Sequence, residues 1–205
     1  IKAVKFSLVC IVANVLCRRY TFRGIFMFIV TRKEGEIQFS DTDFHYLQGV
    51  LNSLDSSLSD INEKIKNSDV CDVSGLCDHG EYLIGLGFCA MQRYFFSTLQ
   101  DIEIEAHVAR DLGSKSVLDK PVAKLIHAAA NYWKHEPEWH IWLAELKPRS
   151  QKTIDEILHG REFADYPLSE LLADLCGEKE LLLSNCLPYL IEWRKAVWLY
   201  TTENV

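Results

Sequence analysis

Residues 78–99 read DHGEYLIGLGFCAMQRYFFSTL, and this stretch decides the fold. Drawn as a helix, it carries apolar side chains on nearly every side: Tyr82, Leu83, Ile84, Leu86, Phe88, Cys89, Tyr94, Phe95, Phe96 and Leu99. A helix that is apolar all round needs neighbours on all sides, so the spacing predicts a central buried helix with Asp78 as its N-cap. Gly85 and Gly87 each cost roughly 1 kcal/mol against alanine inside a helix. Their presence predicts a second backbone crossing closely at that level.

The segments on either side supply the neighbours. Before it, Ser40-Asp41-Thr42-Asp43 offers caps to a run of Phe44, Leu47, Val50 or Leu51, Leu54, Leu58, Ile61 and Ile65. Spacing by threes and fours makes this an amphipathic helix over about 42–67, followed by a loop at 68–78. After it, a linker leads to Pro121 and a third helix over about 119–135. Glu136-Pro137 closes that helix, because a residue before proline avoids helical geometry. Beyond the loop Lys147-Pro148-Arg149-Ser150, helices are expected at 151–159, 167–176 and 179–200, with Pro188 kinking or dividing the last. Phe28–Phe39 holds two short β-favourable runs around Lys33-Glu34-Gly35, the outline of a hairpin. The expected fold class is all-α: a single-domain bundle of about four long and two shorter helices, with a small N-terminal β-hairpin.

Composition agrees with a globular chain. Of 205 residues 48% are hydrophobic, enough to build a core, and the net charge is −7. All 29 carboxylates fall after residue 26, whereas residues 1–26 carry Lys2, Lys5, Arg18, Arg19 and Arg23. An acidic body repels phosphate backbones unless basic side chains cluster locally, so broad nucleic-acid binding is disfavoured and a small shaped site is not. Seven cysteines, an odd set without repeating spacing, indicate reduced thiols and a cytoplasmic location. Apolar runs at 6–16 and 24–30 are each shorter than the roughly 20 residues that span a bilayer, and no stable membrane insertion is expected. Residues 1–26 are expected to stand apart from a folded domain over 27–205; the competing reading is a basic amphipathic membrane anchor.

Chemistry-bearing groups concentrate on the third helix. His127, Asn131 and His135 recur every four residues on one face of a helix otherwise built for burial, with Lys134 beside them. They are acid–base groups, or they satisfy one another in the core. His135 has the stronger claim to chemistry, because the helix ends there. On the central helix stand Glu81, Gln92 and Arg93. Glu81 and Arg93 point about 120° apart and cannot pair along the helix. Glu81 is either an acid facing the histidine face or a first-turn carboxylate complementing its own helix dipole. Cys71, Cys77 and His79 have the wrong spacing for a zinc finger and lack an evident fourth ligand, so no metal or cofactor is expected. Trp133, Trp139 and Trp142 bracket the helix end, as stacking platforms or core edges. Phosphate loop, G-x-S-x-G, H-E-x-x-H and dinucleotide patterns are absent.

GEYLIGLGF at 80–88 and HAAANYWKH at 127–135, with Trp139, resemble segments of small bacterial helical proteins. More distantly, a bundle with N-x-x-x-H near a helix end resembles the HEPN superfamily, many of whose members are RNA-cutting toxins or phage-defence effectors. That family's pattern is an arginine, four to six residues, then histidine. His135 matches the histidine and Asn131 the polar residue that often follows the arginine, whereas Ala128, Ala129 and Ala130 occupy the arginine's allowed positions. The resemblance implies a stress or phage-defence protein, a metal-independent ribonuclease with RNA as partner. His135 would act on the ribose hydroxyl or leaving group, with Asn131 orienting and Lys134 or Arg93 countering phosphate charge; His127 and Glu81 complete the candidate set. The alternative is a non-catalytic helical interaction protein, dimeric or bound to a partner protein. Catalysis predicts His135 in a cleft beside a cation; the scaffold alternative predicts it buried and fully bonded.

Overall fold

Asp41 starts the bundle: its carboxylate accepts the Phe44 N–H at 2.9 Å, and α1 runs from Thr42 to Lys66. The computed structural model describes residues 28–33, 36–68, 74–100, 102, 104–139 and 146–203. The expectation for residues 1–26, the loop residues Cys71 and Trp142 all lie outside these. Ahead of α1, strands β1 (Phe28–Lys33) and β2 (Glu36–Asp41) form the expected antiparallel hairpin, with Phe28 opposite Asp41 and Lys33 opposite Glu36. Leu47, Leu51, Leu58 and Ile61 are the buried stripe of α1.

The central helix, α2, spans Leu76–Gln100 and packs chiefly on α1 and on α4 (Val122–His135). It begins at Leu76, three residues earlier than an N-cap at Asp78 would place it, after Gly75 at φ +68, so Asp78 lies in its first turn and is not the N-cap. Ile84, Phe88 and Met91 are fully buried at its middle. The close crossing implied by its glycines involves side chains, which corrects the expectation of a backbone. A Cβ on Gly85 would sit 1.8 Å from the Trp133 ring, and one on Gly87 2.5 Å from the Leu183 methyls.

The remaining elements depart from expectation at their ends. The segment read as a linker contains α3, Ala106–Arg110. Asp119 takes φ +58, which delays α4 to Val122 and leaves Pro121 as its cap residue. Glu136–Glu138 forms a 3-10 turn that takes up Pro137. Then α5 covers Pro148–Leu158, begun early because proline suits a first turn, and α6 covers Pro167–Cys176 as expected. A helix over 179–200 is not formed: a 3-10 turn at Leu183–Cys186 precedes α7, Leu187–Glu203, and Pro188 opens that helix and does not kink it. The buried Asp55 carboxylate explains the break. It accepts the N–H groups of Leu183 at 2.6 Å and Ser184 at 2.9 Å, holding the turn against α1.

Among the described residues the result is an all-α bundle of four long helices (α1, α2, α4, α7) and three short ones, one more than expected, with the hairpin ahead of it. Arg194 of α7, only 5% exposed, pairs with Asp41 of β2 and stacks over Phe39 and Phe44 at 4.4 and 5.3 Å from the ring centroids. The Tyr94 hydroxyl donates to the same Asp41 carboxylate at 2.7 Å, and burial pushes that phenol well up. Among the described residues no helix is long and apolar enough to cross a membrane.

Candidate functional site

The apolar residues of α4, among them Leu125, Ile126 and Ala129, turn into the core, which leaves His127 and Asn131 at the boundary facing α2. There they meet Gln92, a buried amide of the central helix. Gln92 Nε2 lies 2.9 Å from His127 Nδ1, and it donates to Asn131 Oδ1 at 3.0 Å and to the His127 carbonyl at 3.2 Å. Asn131 Nδ2 lies 3.0 Å from His127 Nε2, so the four-residue spacing does make one face. Lys134 closes the group by donating from Nζ to Gln92 Oε1 at 2.6 Å.

Electrostatics at this face run against a protonated imidazole. Burial, then the charges of Arg110, Lys134 and Arg149, push His127 down to about 4, so it is neutral near pH 7. Those three cations come from α3, α4 and α5. The Phe96 ring meets the imidazole edge-on, with centroids 6.0 Å apart.

His135 does not join the network. It sits where α4 gives way to the 3-10 turn, its side chain 49% exposed, and Nδ1 lies 3.4 Å from the Glu138 carboxylate. The expected triple is therefore a half-buried pair plus an exposed third member. Neither extreme foreseen for His135 is met, since it is not buried and its measured partner is an acid. Arg93 is also elsewhere: it is exposed on a groove of about 250 Å³ between α1 and α2, beside Tyr46 and Val50.

Glu81 answers to neither expected role. Its carboxylate accepts the N–H groups of Leu168 at 2.7 Å and Ser169 at 2.8 Å, capping α6 across the bundle, and does not face the histidines. Burial raises its carboxyl despite those bonds. With Lys134, Tyr82, Tyr132, Trp133 and Glu136 it lines a cleft of about 610 Å³. Tyr82 and Trp133 meet edge-to-face there at 5.4 Å.

Spacing along one helix could find His127 and Asn131. It could not find that Gln92, Arg110 and Arg149 complete their surroundings, because each arrives on another element. Comparison with protein-family models, curated proteins and solved structures finds no match to this chain.

Proposed function

We propose that this chain is a HEPN-like bacterial stress or phage-defence protein that engages RNA at the exposed end of α4, as a metal-independent ribonuclease of the cytoplasm. The observation that carries the proposal is the convergence of Arg110, Lys134 and Arg149 on the His127 face in a chain of net charge −7. A phosphate meets local positive charge there although the whole molecule repels it. The resemblance asks for an arginine that Ala128–Ala130 do not supply, and Arg110 or Arg149 offers that charge from a neighbouring element.

In this mechanism the half-exposed His135 exchanges protons with the RNA. It takes the proton of a ribose 2′-hydroxyl, whose oxygen attacks the adjacent phosphorus; the bond to the 5′-oxygen breaks, that oxygen takes the proton back from His135, and a cyclic phosphate is left. Lys134 and the two arginines balance the charge that builds on the phosphoryl oxygens. His127 and Asn131, engaged with Gln92, position α4 and do not touch substrate.

A second reading, the non-catalytic interaction protein, is favoured by the closure of the Gln92–His127–Asn131–Lys134 network on itself. Full-length protein incubated with single-stranded RNA in EDTA separates the two. The ribonuclease proposal expects cleavage to cyclic-phosphate ends, lowered about 10²-fold or more in His135→Ala. Intact RNA with the wild type, together with a concentration-dependent dimer or a captured partner, would transfer the assignment to the interaction protein.

A further inference from the structure

A second polar cluster lies away from the α4 face and joins three elements that the sequence keeps far apart. Ser116 stands in the loop 114–121 between α3 and α4, His159 caps the C-terminus of α5, and Asp174 lies in α6. Ser116 Oγ is 2.8 Å from His159 Nε2, and His159 Nδ1 is 2.8 Å from Asp174 Oδ2. The order of donors follows from the carboxylate. An ionised Asp174 only accepts, so Nδ1 carries the imidazole hydrogen, Nε2 presents its lone pair, and the Ser116 hydroxyl donates to it. Arg161 fixes the carboxylate through two bonds of 2.8 and 2.7 Å. Burial would raise the Asp174 carboxyl, but its bonds to Arg161 and His159 outweigh burial and hold it low, hence ionised.

We propose that Ser116, His159 and Asp174 form a nucleophilic serine site that cleaves carboxylic esters bearing an apolar acyl group. Two features beyond the three distances support it. The first is backbone: His159 takes φ +51 and ψ 43, the left-handed cap position that glycine fills without strain, and Gly160 follows at φ +92. A histidine is held where the helix end alone favours glycine. The second is the surroundings of Oγ. The N–H groups of Leu118 and Lys120 both donate to it at 3.3 Å, which fixes the Ser116 side chain in the loop with its hydroxyl toward His159. The adjoining loop exposes two apolar side chains, Val117 at 84% and Leu118 at 51%, beside the Lys115–Asp119 ion pair, and a Leu118 methyl lies 3.0 Å from where a Cβ on Gly160 would stand. The His159 side chain is only 1% exposed, so substrate approaches from the Ser116 side.

The reaction needs only the ester and water. Ser116 Oγ bonds to the ester carbonyl carbon while its proton passes to His159 Nε2, and the carbonyl electron pair moves to the carbonyl oxygen. Collapse breaks the ester C–O bond, and the departing alcohol takes the proton from Nε2. Water then attacks the acyl-serine in the same way, releasing the acid and restoring Ser116. Asp174 orients the imidazole and Arg161 orients Asp174; both are positioning residues.

The site is independent of the RNA proposal and is tested without it. Native full-length protein is treated with a fluorophosphonate probe and mapped by peptide mass spectrometry, and p-nitrophenyl butyrate hydrolysis is followed in parallel. The expected result is labelling at Ser116 that disappears on heat denaturation, with labelling and hydrolysis at least 10²-fold slower in His159→Gln and absent in Ser116→Ala. An unlabelled Ser116 in the folded wild type overturns the proposal, as does labelling that is equally fast after denaturation. Because the first arm uses the wild type, it stands even where a variant fails to fold. Should Ser116→Ala only lower the melting temperature, with no wild-type labelling, the cluster is a clasp that pins the loop to α5 and α6.

Discussion

Gly85 shows how one hydrogen atom in place of a methyl sets the distance between two helices. The Trp133 indole of α4 occupies the space a side chain would need, and the nearest ring atom would be 1.8 Å from a Cβ. Helix propensity alone favours Gly85→Ala by roughly 1 kcal/mol, whereas forcing the half-buried ring aside costs about 1–3 kcal/mol. The second effect wins, so Gly85→Ala is expected to lower stability to urea; an unchanged or raised midpoint would show that Trp133 does not seat against α2. His127 gives a prediction of opposite character, since nothing needs to move. Its ordinary value is 6.5 and its folded value about 4, so below pH 6.5 the unfolded chain binds the extra proton and the folded one does not. Stability from this group is complete above pH 6.5 and is lost as pH falls toward 4. The loss is on the order of 1–2 kcal/mol once its partial exposure is discounted. His127→Gln should therefore flatten the melting temperature against pH between 4 and 6.5 relative to wild type, and parallel curves for the two proteins would refute the assignment.

At the scale of elements, carboxylates on one helix start another. Glu81 of α2 caps α6, and Asp55 of α1 caps the 3-10 turn before α7. These partners separate what the sequence could show from what it could not. The extents of α1 and α6 follow from apolar spacing, with a local cap at Asp41 for α1 and a first-turn proline for α6, all within one stretch of chain. Pro188 signals a division of the last helix locally, but the Asp55 carboxylate that holds the turn at 183–186 lies 128 residues away and leaves no local pattern. The same holds for the α4 face: its His127–Asn131 contact lies within one helix, but the Gln92 amide and the cations of α3 and α5 are tertiary. Asp55→Ala would leave two N–H groups unpaired at a buried position, each costing about 1–3 kcal/mol. A loss of roughly 2–4 kcal/mol is expected by denaturant titration, with faster amide hydrogen exchange at 183–186. Full protection of those amides in the variant would mean that the turn holds without its cap.

The whole molecule sets a local excess of positive charge against a net charge of −7. The Arg194–Asp41 pair joins β2 to α7 across 153 residues and holds the hairpin on the bundle. Arg110, Lys134 and Arg149 reach one face of α4 from three helices. RNA held by such a face would displace counterions from about three phosphates, whereas the remaining acidic surface would contribute repulsion only. For single strands each neutralised phosphate adds about −0.7 to the slope of log affinity against log salt, so the slope should be about −2. Raising salt from about 50 to 200 mM would then weaken binding roughly fifteen-fold, measured by fluorescence anisotropy with a short labelled RNA. Arg149→Ala should shallow the slope by a little under one unit while leaving the fold intact, because this side chain is exposed. A slope near zero, or one that Arg149→Ala does not change, would remove the cationic face as the place where RNA binds.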